Sequence, residues 1–238
     1  MTQNRYAFPA LNSVGLVLML TLNGLANALP INGVTIGGVS DRYDNLFVPA
    51  PLTFAIWGLI YLLLTAFVIY GWVTARKDDH AFSSRIGIWF FISCVANAGW
   101  ILAWHYEMLP LTLLIMLVLL GCLLAIYLRL GIGMRRARRS ELLLVHVPFS
   151  VYLGWVTVAT IANVAALLVS IGWGGWGLSP QLWTTAVIAV GTGIALAMAM
   201  RRRDIYFCLV FDWALLGILM KRLADTVTPD GAVVAAVI

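Results

Sequence analysis

Phe54, Trp57 and Tyr61 are spaced three and four residues apart within VPAPLTFAIWGLIYLLL, residues 48 to 64, so a helix there carries all three rings on one face. A face of rings stacks well on a flat or elongated apolar molecule. Pro49 and Pro51 precede it, as fits a helix's first turn, where a missing N–H has no partner to lose. Ala55 and Gly58 leave a thin strip beside the rings, on which a second helix is expected to pack closely. Trp100, Trp155 and Trp213 also lie deep in apolar runs, where an indole needs an acceptor for its N–H or a ligand to stack on. Asn97 and Asn163, with Asn23 and Asn27, place amides at a similar depth. Such amides hydrogen-bond one helix to another, typically at about 0.6 kcal/mol, or meet the polar groups of a ligand. Rings and amides gathered in one half of a bundle point to a cavity.

Asp212 is the one acid near the centre of an apolar run. Charged in mid-bilayer it would cost about 2.5–3.5 kcal/mol, so it is expected to face the interior, pair, or stay protonated. Its role is then a structural bond or a proton-linked function. His105 and His146 invite haem ligation, but they fall near opposite ends of their runs, too far apart to hold one iron. Cys94, Cys122 and Cys208 are isolated, with no CxxC or Cys/His spacing, so neither a disulfide frame nor a zinc site is indicated. There is no Walker loop, GxSxG, HExxH or aspartate-rich diphosphate motif, and no constellation argues for catalysis.

The segments that must position these residues are apolar and long. The chain has 238 residues, 62% hydrophobic and 11% charged, with a mean hydropathy of +0.96. So much apolar surface needs lipid as its solvent. Seven runs approach the length that crosses a bilayer of about 30 Å, at roughly 9–29, 52–74, 86–105, 109–130, 142–169, 181–200 and 205–222. LANALP offers a cleavage-like site at Ala26 and Ala28, but the first run has full spanning length and reads as a helix. The final GAVVAAVI is too short to span.

The net charge of +5 does not read as a nucleic-acid face, because the basic residues sit in short clusters between the runs. With a cytoplasmic N-terminus, the inner side collects Arg76, Lys77 and Arg85, then Arg129 to Arg139, then Arg201, Arg202 and Arg203. Only Arg42, Lys221 and Arg222 fall outside. That bias makes the 30–49 loop, the Gly/Trp-rich 172–177 loop and the C-terminus external. Seven spans in this orientation are the reverse of a G-protein-coupled receptor. A retinal protein needs a mid-helix lysine, and the only lysines are Lys77 in a loop and Lys221 at a helix end.

Three of these segments resemble the TspO/translocator-protein family, also called tryptophan-rich sensory proteins or peripheral benzodiazepine receptors. P-L-T-F-A-I-W-G-L-I-Y, from Pro51 to Tyr61, looks like that family's proline-rich helix start followed by W-x-x-x-Y. N-A-G-W, Asn97 to Trp100, resembles its Asn/Trp segment, and W-V-T-V-A-T-I-A-N keeps a family-like interval between Trp155 and Asn163. The resemblance spans roughly residues 10 to 168. It implies a five-helix bundle, often dimeric, around a cavity closed by the loop between the first two helices. It also implies binding of porphyrins such as protoporphyrin IX, of haem-related molecules or of sterols. Carried over, Phe54, Trp57, Asn97, Trp100, Trp155 and Asn163 become ligand contacts. Pro148 departs from the pattern by standing seven residues before Trp155, and the two helices from 181 to 222 have no counterpart in five helices.

The expected fold is therefore an all-α integral membrane bundle of about seven helices. Residues 1–170 form a five-helix unit with a 30–49 lid, and 171–238 add two helices and a short tail. The expected function is binding of a tetrapyrrole, or of a sterol- or isoprenoid-type ligand, in an outer-half cavity, with a sensory, transport or regulatory role. The bacterial inner membrane is the expected location. The binding residues are expected to be Phe54, Trp57, Tyr61, Asn97, Trp100, Trp155 and Asn163, with Asp212 as a functional intramembrane acid. A porphyrin or a bound lipid is the expected cofactor, and membrane lipids, a homodimer or a larger membrane complex the expected partners. The competing reading is a non-catalytic subunit or assembly factor, docking through the small-residue strip Gly191, Gly193, Ala195, Ala197 and Ala199. A proton-coupled transporter using Asp212 is a third, though no inverted repeat is apparent.

Overall fold

The computed structural model describes residues 5–29, 31–77, 81–224 and 231–238. Pro30, the first residue of the expected lid, lies outside the described residues. Seven long helices run at the expected places: α1 (Ala7–Ala28), α3 (Ile56–Arg76), α5 (Trp89–His105), α6 (Leu109–Leu130), α8 (Val147–Ser170), α9 (Pro180–Arg202) and α10 (Ile205–Ala224). Short helices α2 (Ile36–Arg42), α4 (Ala81–Ile86), α7 (Arg139–Glu141) and α11 (Gly231–Val237) fill the connections and the tail.

Among the described residues, five segments are long and apolar enough to cross a membrane: Ala7–Ala28, Pro51–Arg76, Leu109–Leu130, Arg139–Ser170 and Pro180–Arg202. Of the other two, α5 has only 17 residues, and α10 carries Asp212, Lys221 and Arg222. The prolines act as the sequence suggests. Pro51 opens a 3-10 turn, Pro51–Ala55, that runs directly into α3, and Pro180 opens α9 behind the Ser179 cap. Just before Pro148, Leu142–His146 form a π-helical turn. The missing proline N–H and its ring displace the usual ladder there, which is where such bulges arise.

α5 packs against α1 and α6, α6 against α8, and α10 along α8, with α9 and α11 outside α10. The two long helices beyond residue 170 are thus applied to the flank of the first five. A close contact is at Gly217, where an added Cβ would come within 2.0 Å of the Thr53 hydroxyl. Ala50 donates its N–H to the Gly217 carbonyl at 2.9 Å, and Trp213 donates its indole N–H to the Thr53 carbonyl at 2.9 Å. Backbone meets backbone here because position 217 has no side chain.

Three expectations about helix faces are corrected. Gly58 and Ala55 are exposed, and nothing lies within 4 Å of a Cβ built at Gly58, so no helix packs on that strip. In the strip on α9, Gly191 and Ala195 are buried, Gly191 against Phe211, while Gly193 and Ala199 are exposed. Asp212 is exposed on the outward side of α10, not turned inward. Its neighbours Phe211 and Ala214 are the buried ones, because they face α8 and α9.

Among the described residues the buried acid is Asp204, 4% exposed at the corner between α9 and α10. Its Oδ2 accepts the Tyr127 hydroxyl at 2.8 Å and the Ser150 hydroxyl at 2.7 Å. Its Oδ1 accepts the Phe207 N–H at 3.2 Å, capping α10. One carboxylate thereby ties α6, α8 and α10 together.

Candidate functional site

Trp57 is the centre of a ring cluster and is 6% exposed. Tyr61 stacks on it at 5.7 Å, Trp100 lies tilted at 6.2 Å, and Tyr152 and Trp155 meet it edge-on at 6.1 and 6.3 Å. Phe54 meets Trp155 edge-on at 6.1 Å, and Trp104 stacks on Trp100 at 5.8 Å. Centroid separations of this size, offset or edge-to-face, are the favoured geometries for ring pairs.

Beside the cluster is a small cavity of about 40 Å³. Phe54, Trp57, Trp100, Trp155 and Asn163 line it, so five of the seven expected binding residues converge. Tyr61 and Asn97 do not. Tyr61 packs behind Trp57. Asn97 is fully buried between helices, where its carbonyl accepts from Asn23 at 2.7 Å and its amide donates to the Tyr152 hydroxyl at 3.1 Å. Asn97 and Asn23 join α1, α5 and α8 and contribute no wall. Asn27, one turn on, is exposed.

Two indoles on the cavity differ in a telling way. Trp100 donates to the Asn163 carbonyl oxygen at 3.2 Å, joining α5 to α8. Trp155 is 2% exposed and its Nε1 has no acceptor among the described residues. A buried donor without a partner costs about 1–3 kcal/mol, which a ligand acceptor in the cavity would recover.

The roof comes from the 31–49 segment: Ile36, Ser40 and Tyr43 of α2 and its flank, then Asn45, Phe47, Val48 and Pro49. Trp104 donates its indole N–H to the Ile36 carbonyl at 3.1 Å, and Asn32 donates to the His105 carbonyl at 2.9 Å. The far edge is held by ions. Arg42 pairs with Glu107, Tyr43 donates to Glu107 Oε2 at 2.7 Å, and Lys221 reaches Asp41 at 3.2 Å and Asp44 at 3.8 Å. Glu107 sits at φ 55, a left-handed conformation that a non-glycine residue adopts only when its surroundings hold it.

The hydrogen bond to Glu107, with the carboxylate's charge, raises the Tyr43 pKa above its ordinary value. A phenol whose pKa is raised in the folded state keeps its contact below the unfolded value of about 10 and loses it as pH rises through the folded one. Amide exchange across 36–47 should therefore be unchanged by Tyr43 between pH 7 and 9. Exposed ion pairs contribute only about 0–1 kcal/mol, so Glu107→Ala should speed exchange in 36–47 while leaving the melting temperature nearly unchanged. Unaltered exchange in that variant would show that Trp104 and Asn32 alone hold the roof.

Sequence reading missed several walls. Trp104 reads as an interface residue, yet it is 5% exposed and bonded to the roof. Tyr152 is fully buried between Asn97 and Trp57. Its polar tip amid the apolar residues of α8 is the signal that finds it. Ala214 and Ile218 of α10 also reach the cavity, so a late helix completes a site built mainly by the first five.

Among known proteins, the family described as TSPO-like protein matches residues 9–238. The match takes in the two late helices as well as the first five. No curated protein and no solved structure matches the chain.

Proposed function

The chain belongs to the TSPO-like family, and on that premise we propose that it binds a flat apolar ligand, a tetrapyrrole foremost, in the ring-lined cavity under the 31–49 segment. It is an integral membrane protein of the TspO type, all α-helical. The observation that carries the proposal is the buried N–H without an acceptor on Trp155, an indole that lines the same cavity as Trp57 and Trp100. Rings would sandwich the macrocycle, and Trp155 with Asn163 would meet its carboxylates or carbonyls. At about 40 Å³ the cavity holds no more than a few waters. Ligand pockets run to about 300–1,000 Å³, so the roof must lift before a tetrapyrrole enters. Sterols and isoprenoids are the alternative ligands, and the role of binding is sensory, transport or regulatory.

Titrating the purified protein with a porphyrin panel, with a sterol and an isoprenoid alongside, should give saturable one-to-one tryptophan quenching by a porphyrin. No saturable quenching by any porphyrin would overturn the reading.

The proposed location is the bacterial inner membrane with the N-terminus cytoplasmic. Reporter fusions after Arg138 should be active in the cytoplasm and fusions near Gly175 outside it. The reverse pattern would invert the orientation.

A second reading draws on Asp212, exposed at mid-helix among apolar neighbours. A second copy or another membrane subunit with a donor at that depth would remove the cost of leaving it in lipid. Co-purification of a stoichiometric partner would favour it, and a homogeneous monomer would not.

A further inference from the structure

A second space in the molecule belongs to neither the ring cluster nor the roof. It is a groove of about 490 Å³ between α3, α8 and α10, open to the side. α10 touches the start of α3 at Gly217 and Thr53, and below that contact the two helices leave a gap floored by α8. Leu59 and Leu63 on α3, Val147 and Val151 on α8, and Leu209 and Trp213 on α10 give it walls. They are almost wholly apolar. The Trp213 N–H is already committed to Thr53, so the indole offers only its face, and Tyr206 supplies a hydroxyl at the end nearest the α9–α10 corner.

That end of the groove is cationic. Arg201 and Arg202 end α9 and Arg203 follows in the corner before α10, while Arg135, Arg136 and Arg138 lie in the loop before α7 and Arg139 opens α7. The two clusters are brought together. A Cβ at Gly133 would fall 1.9 Å from the Arg202 carbonyl oxygen, so the loop between α6 and α7 lies directly against the corner between α9 and α10. The Asp204–Ser150 bond, at 2.7 Å, fixes that corner beside the Val147–Val151 end of the groove. Arg201, Arg203, Arg135 and Arg136 are exposed and have no carboxylate partner among the described residues.

We infer that the groove is a binding site for an anionic phospholipid, with one acyl chain between α3 and α10 and the phosphate among the arginines of the α6–α7 loop and the α9–α10 corner. An apolar slot of ligand size, ending in clustered guanidinium groups, matches an acyl chain joined to a phosphate. Neutral phospholipids would satisfy the slot but not the arginines. The late helices create the site, because without α10 the slot has no second wall.

The test exchanges the intact protein into nanodiscs of equal phosphatidylglycerol and phosphatidylcholine with matched chains, then counts retained lipids by native mass spectrometry. Phosphatidylglycerol should be retained preferentially, at one per chain. The double variant Arg201→Gln, Arg203→Gln should weaken that retention by more than about tenfold. Leu63→Trp and Leu209→Trp, which fill the slot from opposite walls, should each do the same while melting as the wild type does. Loss with the arginine variant but not with either groove variant would reduce the effect to surface charge and overturn the inference. Equal retention of the two lipids, or retention of a sterol or isoprenoid instead, would overturn it too. Porphyrin quenching is unaffected by these variants if the cavity reading is right, so the two ideas fail separately.

Discussion

Trp57→Ala should lower tetrapyrrole affinity at least about tenfold, equivalent to about 1.4 kcal/mol, while Trp89→Ala leaves it nearly unchanged. Trp57 touches four other rings, two of which, Trp100 and Trp155, line the cavity with it. Removing it loses a stacking surface worth about 0.5–1.5 kcal/mol beyond area burial, and lets Trp100 and Trp155 relax away from their positions. Trp89 is at the far end of α5, under the Arg129 guanidinium, and takes no part in the cavity. Because Trp57→Ala also opens a hole in the core, its melting temperature will fall. Trp155→Phe is the gentler change, since it keeps an aromatic ring and removes the unpartnered N–H together with the smaller ring of the indole. That variant should lose less stability than Trp57→Ala, because the relieved N–H offsets part of the gap left by the smaller ring, and still bind a carboxylated porphyrin more weakly. Equal weakening by Trp57→Ala and Trp89→Ala would mean that the ring wall is only packing.

The largest stability change should come from Asp204, and Asp212 should give almost none. Asp204→Leu leaves the Tyr127 hydroxyl, the Ser150 hydroxyl and the Phe207 N–H without their acceptor. At about 1–3 kcal/mol for each buried donor, a loss of roughly 3 kcal/mol or more follows. Asp204→Asn keeps one acceptor and should lose less. Asp212→Leu replaces an exposed acid by an apolar group, so the purified protein should melt as the wild type does. Thermal unfolding in one detergent compares all three. If Asp212→Leu proved as damaging as Asp204→Leu, the outward placement of Asp212 would be wrong.

Those two aspartates show where the sequence is legible and where it is not. Helix positions follow from apolar runs broken by charges, and the seven long helices lie within a few residues of the expected spans. The direction each helix turns does not follow. In lipid both faces are apolar, so hydropathy carries little information about which side packs. Asp212 was therefore expected inward, and Gly58 was expected to meet a helix that lies elsewhere. Asp204 stands among arginines in RRRDIYF and reads as loop charge, although an aspartate just before an apolar run also fits a helix cap. Phe54, Trp57, Trp100, Trp155 and Asn163 do share one cavity, because rings and amides recurring at one depth have few places to go except toward each other. Spacing could not separate Asn163, which lines the cavity, from Asn97, which joins helices. Both are amides at similar depth, and only the packing of Asn23 and Tyr152 distinguishes them.

The claim that the cavity beneath the 31–49 segment is the ligand site is tested most directly by photolabelling. A tetrapyrrole bearing a photoreactive group, bound to the protein in membranes and irradiated, should attach to the roof between Tyr43 and Val48. It should also label the cavity residues of α8 between Trp155 and Asn163. Unlabelled porphyrin in excess should suppress both adducts. Adducts confined to Leu59, Leu63 and Leu209 in the side groove, or spread over lipid-facing residues and insensitive to competitor, would contradict it.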